Sequence, residues 1–202
     1  MRLLPSGSAA VLVELADLDE VLALAAALER ARPAGVVDVV PAARTVLLVL
    51  DPAATTPAAV AAAVRALPLQ PGARPAGERV EVPVHYDGAD LPGLADLFGT
   101  TPAELVARHS GAEWTVAFCG FSPGFGYLTQ PGRSWDVPRR TTPRTRVPAG
   151  AVGLAGAFSG VYPRESPGGW QLIGRTDLAV FDVDREPAAL LRPGTRVRFV
   201  PA

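Results

Sequence analysis

The chain has 202 residues, a net charge of −1, 49% apolar side chains and a mean hydropathy of +0.22. That length buries one large core or two small ones, the near-neutral charge removes the electrostatic case for nucleic acid or an anionic membrane surface, and the apolar fraction excludes disorder. Apolar runs stop well short of the roughly 18 residues of a membrane span, and acids come too early for a signal peptide, so the expectation is a cytoplasmic protein.

Ala9 to Leu15 reads as a strand. Asp17 then caps a helix with Leu18, Val21, Leu22, Ala25 and Leu28 at i, i+3, i+4 spacing, ended before Pro33 and Gly35. Two β-rich runs follow, Val36 to Val40 and Thr45 to Leu50, and Thr56 with Pro57 opens a second helix running to Leu67. The order β-α-β-β-α predicts a small α+β domain over residues 1–72, with its helices packed on one face of a sheet. Pro68 to Gly77 holds three prolines and two glycines and reads as a linker.

A second domain is expected over 78–202. Arg79 to Tyr86 alternates like a strand, and Asp90 to Phe98 suits a short helix. Thr101-Pro102-Ala103-Glu104 is a capping box that predicts a helix to about Ser110, stopped by Gly111. Glu113 to Cys119 is a strand, and from Gly120 to Gly174 glycines and prolines punctuate short β-like runs. Arg175 to Val183 and Arg196 to Val200 read as closing strands, so the second domain is a barrel or a sandwich.

One cysteine, Cys119, excludes an internal disulfide and a Cys-based zinc site, and with only two histidines, His85 and His109, a His-rich metal centre is not expected. All 19 basic residues are arginine. A Schiff-base lysine and a P-loop lysine are therefore excluded, and any anion must be met by arginine, by backbone N–H groups or by a partner. Gly120-Phe121-Ser122-Pro123-Gly124 matches the nucleophile-elbow pattern, but Pro123 has no N–H to give an oxyanion hole, so a tight turn explains it better. Cys119 reads as a small buried side chain rather than a nucleophile, and His109 suits the helix C-terminal dipole as well as it suits proton transfer.

The stronger signal is the arginines. Arg133, Arg139, Arg140, Arg144 and Arg146 lie in 14 residues with one acid, Asp136, and are stiffened by Pro138, Pro143 and Pro148. Guanidinium forks on a rigid, glycine-rich wall suit a carboxylate or phosphate. Phe121, Phe125, Tyr127 and Trp170 concentrate in the same half, with Phe121 and Phe125 flanking a Pro-Gly turn where they could line a pocket or meet a partner.

Three long motifs, Phe118 to Leu128 (FCGFSPGFGYL), Arg139 to Gly156 and Val161 to Asp182, resemble the family of the 5-oxoprolinase B subunit, also known as KipI or allophanate hydrolase subunit 1. The resemblance implies a cyclophilin-like β-barrel behind a smaller α+β domain, and a protein that works with partner subunits A and C to open 5-oxo-L-proline to L-glutamate with hydrolysis of ATP. It matches the family at Phe125, Tyr127, Arg144, Gly168, Gly169, Trp170 and Arg175, among others. Gly126 departs from the proline or alanine frequent there. On that basis Arg144 and Arg175 are expected to clamp the substrate's anionic group, with Arg139 in support and Phe121, Phe125, Tyr127 and Trp170 lining the site. Backbone N–H groups of Gly168 and Gly169 would serve the oxyanion, and Glu165 or His109 would handle protons. ATP with Mg is expected on, or shared with, the partner subunits. The alternatives are a KipI-type inhibitor of a sensor histidine kinase and a component of an allophanate hydrolase or urea carboxylase.

Overall fold

The computed structural model describes residues 1–70, 77–130 and 135–202. The chain divides into two compact units, Met1–Pro75 and Ala76–Ala202. The expected linker falls largely on residues 71–76, outside the described residues, as does Arg133.

The first unit contains β1 (Arg2–Pro5), β2 (Ala10–Glu14), α1 (Leu18–Ala31), β3 (Val36–Pro41), β4 (Thr45–Leu50) and α2 (Pro57–Ala66). Its antiparallel sheet has the order β1-β2-β4-β3. The expected β-α-β-β-α order is therefore corrected to β-β-α-β-β-α. The additional strand β1 is four residues long and has no readable period. It exists because β2 offers a ladder to it, from Arg2 opposite Glu14 to Pro5 opposite Val11, and at a sheet edge Pro5 is tolerated. Val11, Val13, Val46, Leu48 and Leu50 alternate inward, and α1 and α2 cover them with Val21, Leu24, Leu28, Val60 and Val64. Both helix starts are capped as their sequences specify: Asp17 accepts from the Glu20 N–H at 2.9 Å and Thr56 from the Ala59 N–H at 3.2 Å.

The second unit contains β5 (Arg79–Val84), α3 (Leu91–Leu97), α4 (Pro102–Ser110), β6 (Glu113–Cys119), β7 (Gly126–Thr129), β8 (Arg144–Val147), β9 (Ala151–Ala155), β10 (Phe158–Val161), β11 (Ser166–Gly168), β12 (Gln171–Arg175) and β13 (Arg196–Pro201). Seven strands form one sheet in the order β12-β9-β10-β7-β6-β13-β5, while β8 and β11 pair as a separate ribbon. The sheet curls until its ends meet. His85, just past β5, exchanges two backbone bonds of 2.9 Å with Arg175 at the end of β12, and the N–H groups of Gly88 and Asp90 continue the seam onto the carbonyls of Ile173 and Leu172. This seam brings the two outermost strands of the sheet together as a barrel.

That closure explains a second correction. The run Arg175 to Val183 is not a strand: β12 ends at Arg175, and beyond it only an isolated bridge, Phe181 to Ala189, is formed before β13. β12 is flanked by β9 on one side and by the His85 seam on the other only as far as Arg175, and residues 176–183 extend neither ladder. Inside the barrel Trp114, Trp135, Leu128, Leu154, Ile173 and Phe199 form the main core. A second apolar cluster joins Phe125, Val147, Tyr162, Trp170 and Leu172, with Tyr127 and Phe158 against it. No helix among the described residues is long and apolar enough to cross a membrane.

Candidate functional site

His109 is at the end of α4 with no solvent exposure, stacked on Phe199 at 4.3 Å between ring centroids. Its Nδ1 is 2.8 Å from the Tyr86 hydroxyl and its Nε2 2.9 Å from that of Ser159, which in turn donates to the Gly153 carbonyl at 3.4 Å. All of these bonds are satisfied when Tyr86 donates to Nδ1 and Nε2–H donates to Ser159. Burial pushes the His109 pKa down to about 3, so the ring stays neutral. The expected proton carrier is thus a sealed core group, which sequence reasoning could not see because α4 turns its last residues into the barrel.

The nucleophile candidates are likewise structural. The Cys119 thiol donates to the Leu191 carbonyl at 3.2 Å, and burial pushes its pKa up to about 11. Ser122 holds a tight turn through its backbone, its N–H bonding the Gly120 carbonyl and its carbonyl taking the Phe125 N–H. No base reaches its hydroxyl among the described residues: its Oγ is buried without a partner, His109 is committed to Tyr86 and Ser159, and His85 Nδ1 lies 3.1 Å from the Ala202 carbonyl.

The polar centre of the second unit is Asp90, which sequence reasoning took only as the start of α3. It is the N-cap of α3, yet its carboxylate makes no capping bond. Oδ2 accepts from the Leu172 N–H at 2.7 Å, and Oδ1 accepts from both Arg140 Nη1 at 2.7 Å and Arg144 Nη2 at 2.8 Å. The side chain is only 8% exposed. Burial by itself would raise its pKa, but the hydrogen bonds from Arg144 and Leu172 and the charges of Arg144 and Arg140 outweigh that and hold it below the usual range. The segment carrying these arginines is bound to the segment 169–171 at three further points. The Arg140 N–H donates to the Gly169 carbonyl at 2.8 Å, Gln171 Nε2 to the Pro138 carbonyl at 2.9 Å, and Arg144 Nη1 weakly to the Trp170 carbonyl at 3.5 Å. No local pattern announces this, because Asp90 meets its partners 50 and 54 residues downstream.

Beside this network lies an aromatic face. Burial raises the pKa of both the Tyr127 and Tyr162 hydroxyls, while the exposed Arg139 guanidinium is near enough to oppose that rise on each. Both phenols therefore remain hydrogen-bond donors beside a cation. Gly168 is required here, since a Cβ at that position would overlap the Tyr162 hydroxyl. Phe125 and Trp170 are buried at 1% and 4% and form the floor, whereas Phe121 is 57% exposed and meets Phe125 and Tyr162 edge-on. Phe121 adopts φ +67°, a left-handed backbone that is rare for a bulky residue and that holds its ring outward.

The remaining expected residues are placed differently. Arg175 pairs with Asp87 at 2.9 Å and lies on the closing seam, and Glu165 pairs with Arg146 at 2.7 Å, both in exposed positions. Gly169 is buried with its carbonyl used by Arg140, and Gly168 pairs with Arg144 across the β8–β11 ribbon. The structure thus brings Arg139, Arg140, Arg144, Tyr127, Tyr162, Phe121 and Trp170 into one neighbourhood, and leaves His109 out of it. Among the described residues no group of three or more His, Cys, Asp or Glu is placed to hold a metal ion.

Comparison with known proteins follows the same lines. The chain is 48% identical to the 5-oxoprolinase B subunit of Escherichia coli O157:H7 over 130 residues, which is 63% of this chain and 60% of that protein. The chain therefore spans somewhat under two thirds of that relative's length. The crystal structure of TTHA0988 superposes with a TM-score of 0.77 at 39% identity, over 96% of this chain and 39% of that one. The urea amidolyase of K. lactis shares the fold, with a TM-score of 0.79 at 20% identity over 99% of this chain and 15% of that one. The model of the carboxyltransferase domain, subdomain C and D, matches residues 1–191, and the chain belongs to that family.

Proposed function

We propose that the chain is the B subunit of an ATP-dependent 5-oxoprolinase, a lactam hydrolase that opens 5-oxo-L-proline to L-glutamate and is active only with partner subunits A and C. The observation that carries this reading is the 48% identity to a protein of that name. The geometry supports it: an exposed arginine, the part-buried Tyr127 phenol and two fixed guanidiniums suit a small molecule with a carboxylate and an amide-like carbonyl. Arg144 holds the substrate's anionic group, with the exposed Arg139 beside it adding positive charge. Tyr127 and the backbone near Gly168 and Gly169 donate to oxygen as charge develops, and Phe121 covers the ring. Glu165, exposed and paired with Arg146, is the carboxylate we propose for proton transfer.

The chain has no lysine for a P-loop-type phosphate clamp, and among its described residues no group of three or more His, Cys, Asp or Glu is placed to hold a metal ion. The nucleotide is assigned to the partner subunits, and this chain's part is to bind, orient and shield the lactam. Co-expression with subunits A and C followed by a glutamate-release assay tests the reading. Arg139→Ala and Arg144→Ala should each lower release at least tenfold with the complex still assembled. Full activity of this chain alone, or of both variants, would refute it.

A second reading, a KipI-type inhibitor of a sensor histidine kinase, is favoured by the exposed Phe121 ring on its left-handed backbone. Under it Phe121→Ala would abolish kinase binding.

A further inference from the structure

We infer that Arg140 and Arg144, pinned side by side on Asp90, form a binding site for one small oxyanion, a carboxylate or a phosphate group. Three observations carry this. First, both guanidiniums meet the same oxygen, Asp90 Oδ1, at 2.7 and 2.8 Å, so two like charges are held within a few ångströms of each other. Among the described residues neither makes another ion pair, and one carboxylate offsets only one of the two charges. A second anion would relieve the remaining repulsion.

Secondly, the hydrogen bonds of these arginines leave donors over. Each guanidinium carries five N–H groups; Arg140 uses Nη1 on Asp90 and Nε at 3.4 Å from the Thr142 carbonyl, and Arg144 uses Nη2 on Asp90 and Nη1 at 3.5 Å from the Trp170 carbonyl. Their side chains are 35% and 21% exposed, so the other N–H groups are accessible from solvent. Thirdly, the pair cannot relax. Asp90 is fixed by Leu172, and the chain around Arg140 is fixed by Gly169 and Gln171, so the fork is organised before a ligand arrives. Exposed Arg139 adjoins this pair in sequence and adds positive charge.

Asp90 is thereby a positioning residue, acting through the two arginines. The inference deepens the proposed substrate site and rests on it only for the identity of the natural ligand, which is either the substrate's own carboxylate or a phosphate group.

The test is a calorimetric titration of the purified chain with 5-oxo-L-proline, with its uncharged primary amide and with inorganic phosphate. At least one of the two anions is expected to bind, and the amide at least tenfold more weakly than 5-oxo-L-proline if the carboxylate is the ligand. Preference for 5-oxo-L-proline over phosphate identifies the substrate carboxylate; the reverse identifies a phosphate group. Arg140→Gln and Arg144→Gln should each weaken binding about tenfold. Asp90→Asn is the decisive variant. It makes the site more positive, so attraction by net charge alone predicts tighter binding, whereas loss of the anchor predicts binding about tenfold weaker. If Asp90→Asn does not fold, the double variant Arg140→Lys with Arg144→Lys keeps the charge and loses the fork, and should weaken binding by the same factor. Binding of neither anion, or unchanged or tighter binding in Asp90→Asn (or in the double lysine variant), would overturn the inference. Anion binding by the chain without glutamate release by the complex would refute the proposed enzyme and leave this site standing.

Discussion

The barrel core around His109 and the region around Asp90 both bury an ionisable side chain, and they do so in opposite ways. His109 has aromatic rings on its faces and a hydroxyl on each nitrogen, so burial strips its charge and leaves a neutral, satisfied group. Asp90 is buried against two guanidiniums and a backbone N–H, so it keeps its charge. Burial alone therefore does not mark a functional group. What separates the two is whether charge is retained and whether the charged partners reach solvent, as Arg140 and Arg144 do and the buried Ser159 does not.

The contrast can be tested by breaking each side. The largest effect is expected from Asp90→Ala, which leaves two guanidiniums and the Leu172 N–H uncompensated; removing one member of a buried ion pair costs about 3–5 kcal/mol, to be read by urea unfolding at pH 7. The His109 side is tested by acid. Its folded pKa lies below the unfolded value, so the stabilisation is present above pH 6.5 and is lost as pH falls, because only the unfolded chain takes up the proton. The expected slope is at most about 1.4 kcal/mol per pH unit, and the loss integrates to about 2.3 kcal/mol between pH 6.5 and 4.5. In His109→Gln the slope should vanish above pH 5.5, where Glu104 and Asp90, whose pKa values are lowered by their hydrogen bonds, do not yet contribute, and a slope that persists there would place the titrating group elsewhere.

Smaller changes sharpen the boundary between the two regions. Gly168→Ala forces the new methyl group against the Tyr162 hydroxyl and should cost about 1–3 kcal/mol in thermal or urea unfolding, with the His109 acid slope unaltered. The smallest effect belongs to Arg146→Ala. The Arg146–Glu165 pair is 75% and 51% exposed, and its loss should change unfolding free energy by less than about 0.5 kcal/mol.

Much of the scaffold was legible because the signals are local. Asp17, Thr56 and the Thr101–Glu104 box fix helix starts within three residues of themselves, and alternation in β2 and β4 needs only the strand itself. Strand β1 and the end of β12 were not legible, since each depends on which neighbouring edge is free. The candidate site divides in the same manner. The arginine-rich run and the aromatic residues stand out by composition, and the structure places Arg139, Arg144, Tyr127 and Trp170 near one another. Asp90 was invisible as a site residue because its bonds span 50 to 82 residues. His109 was misread for the complementary reason: a histidine in a last helical turn looks the same whether that turn faces water or a barrel.

The most direct test of the central claim is NMR observation of the arginine side-chain Nε–H signals while 5-oxo-L-proline or phosphate is added to the chain. The Arg140 and Arg144 signals should shift together and saturate, with Arg146 and Arg175 unmoved. Uniform small shifts at all four, or saturation at Arg146 or Arg175 alone, would contradict the account.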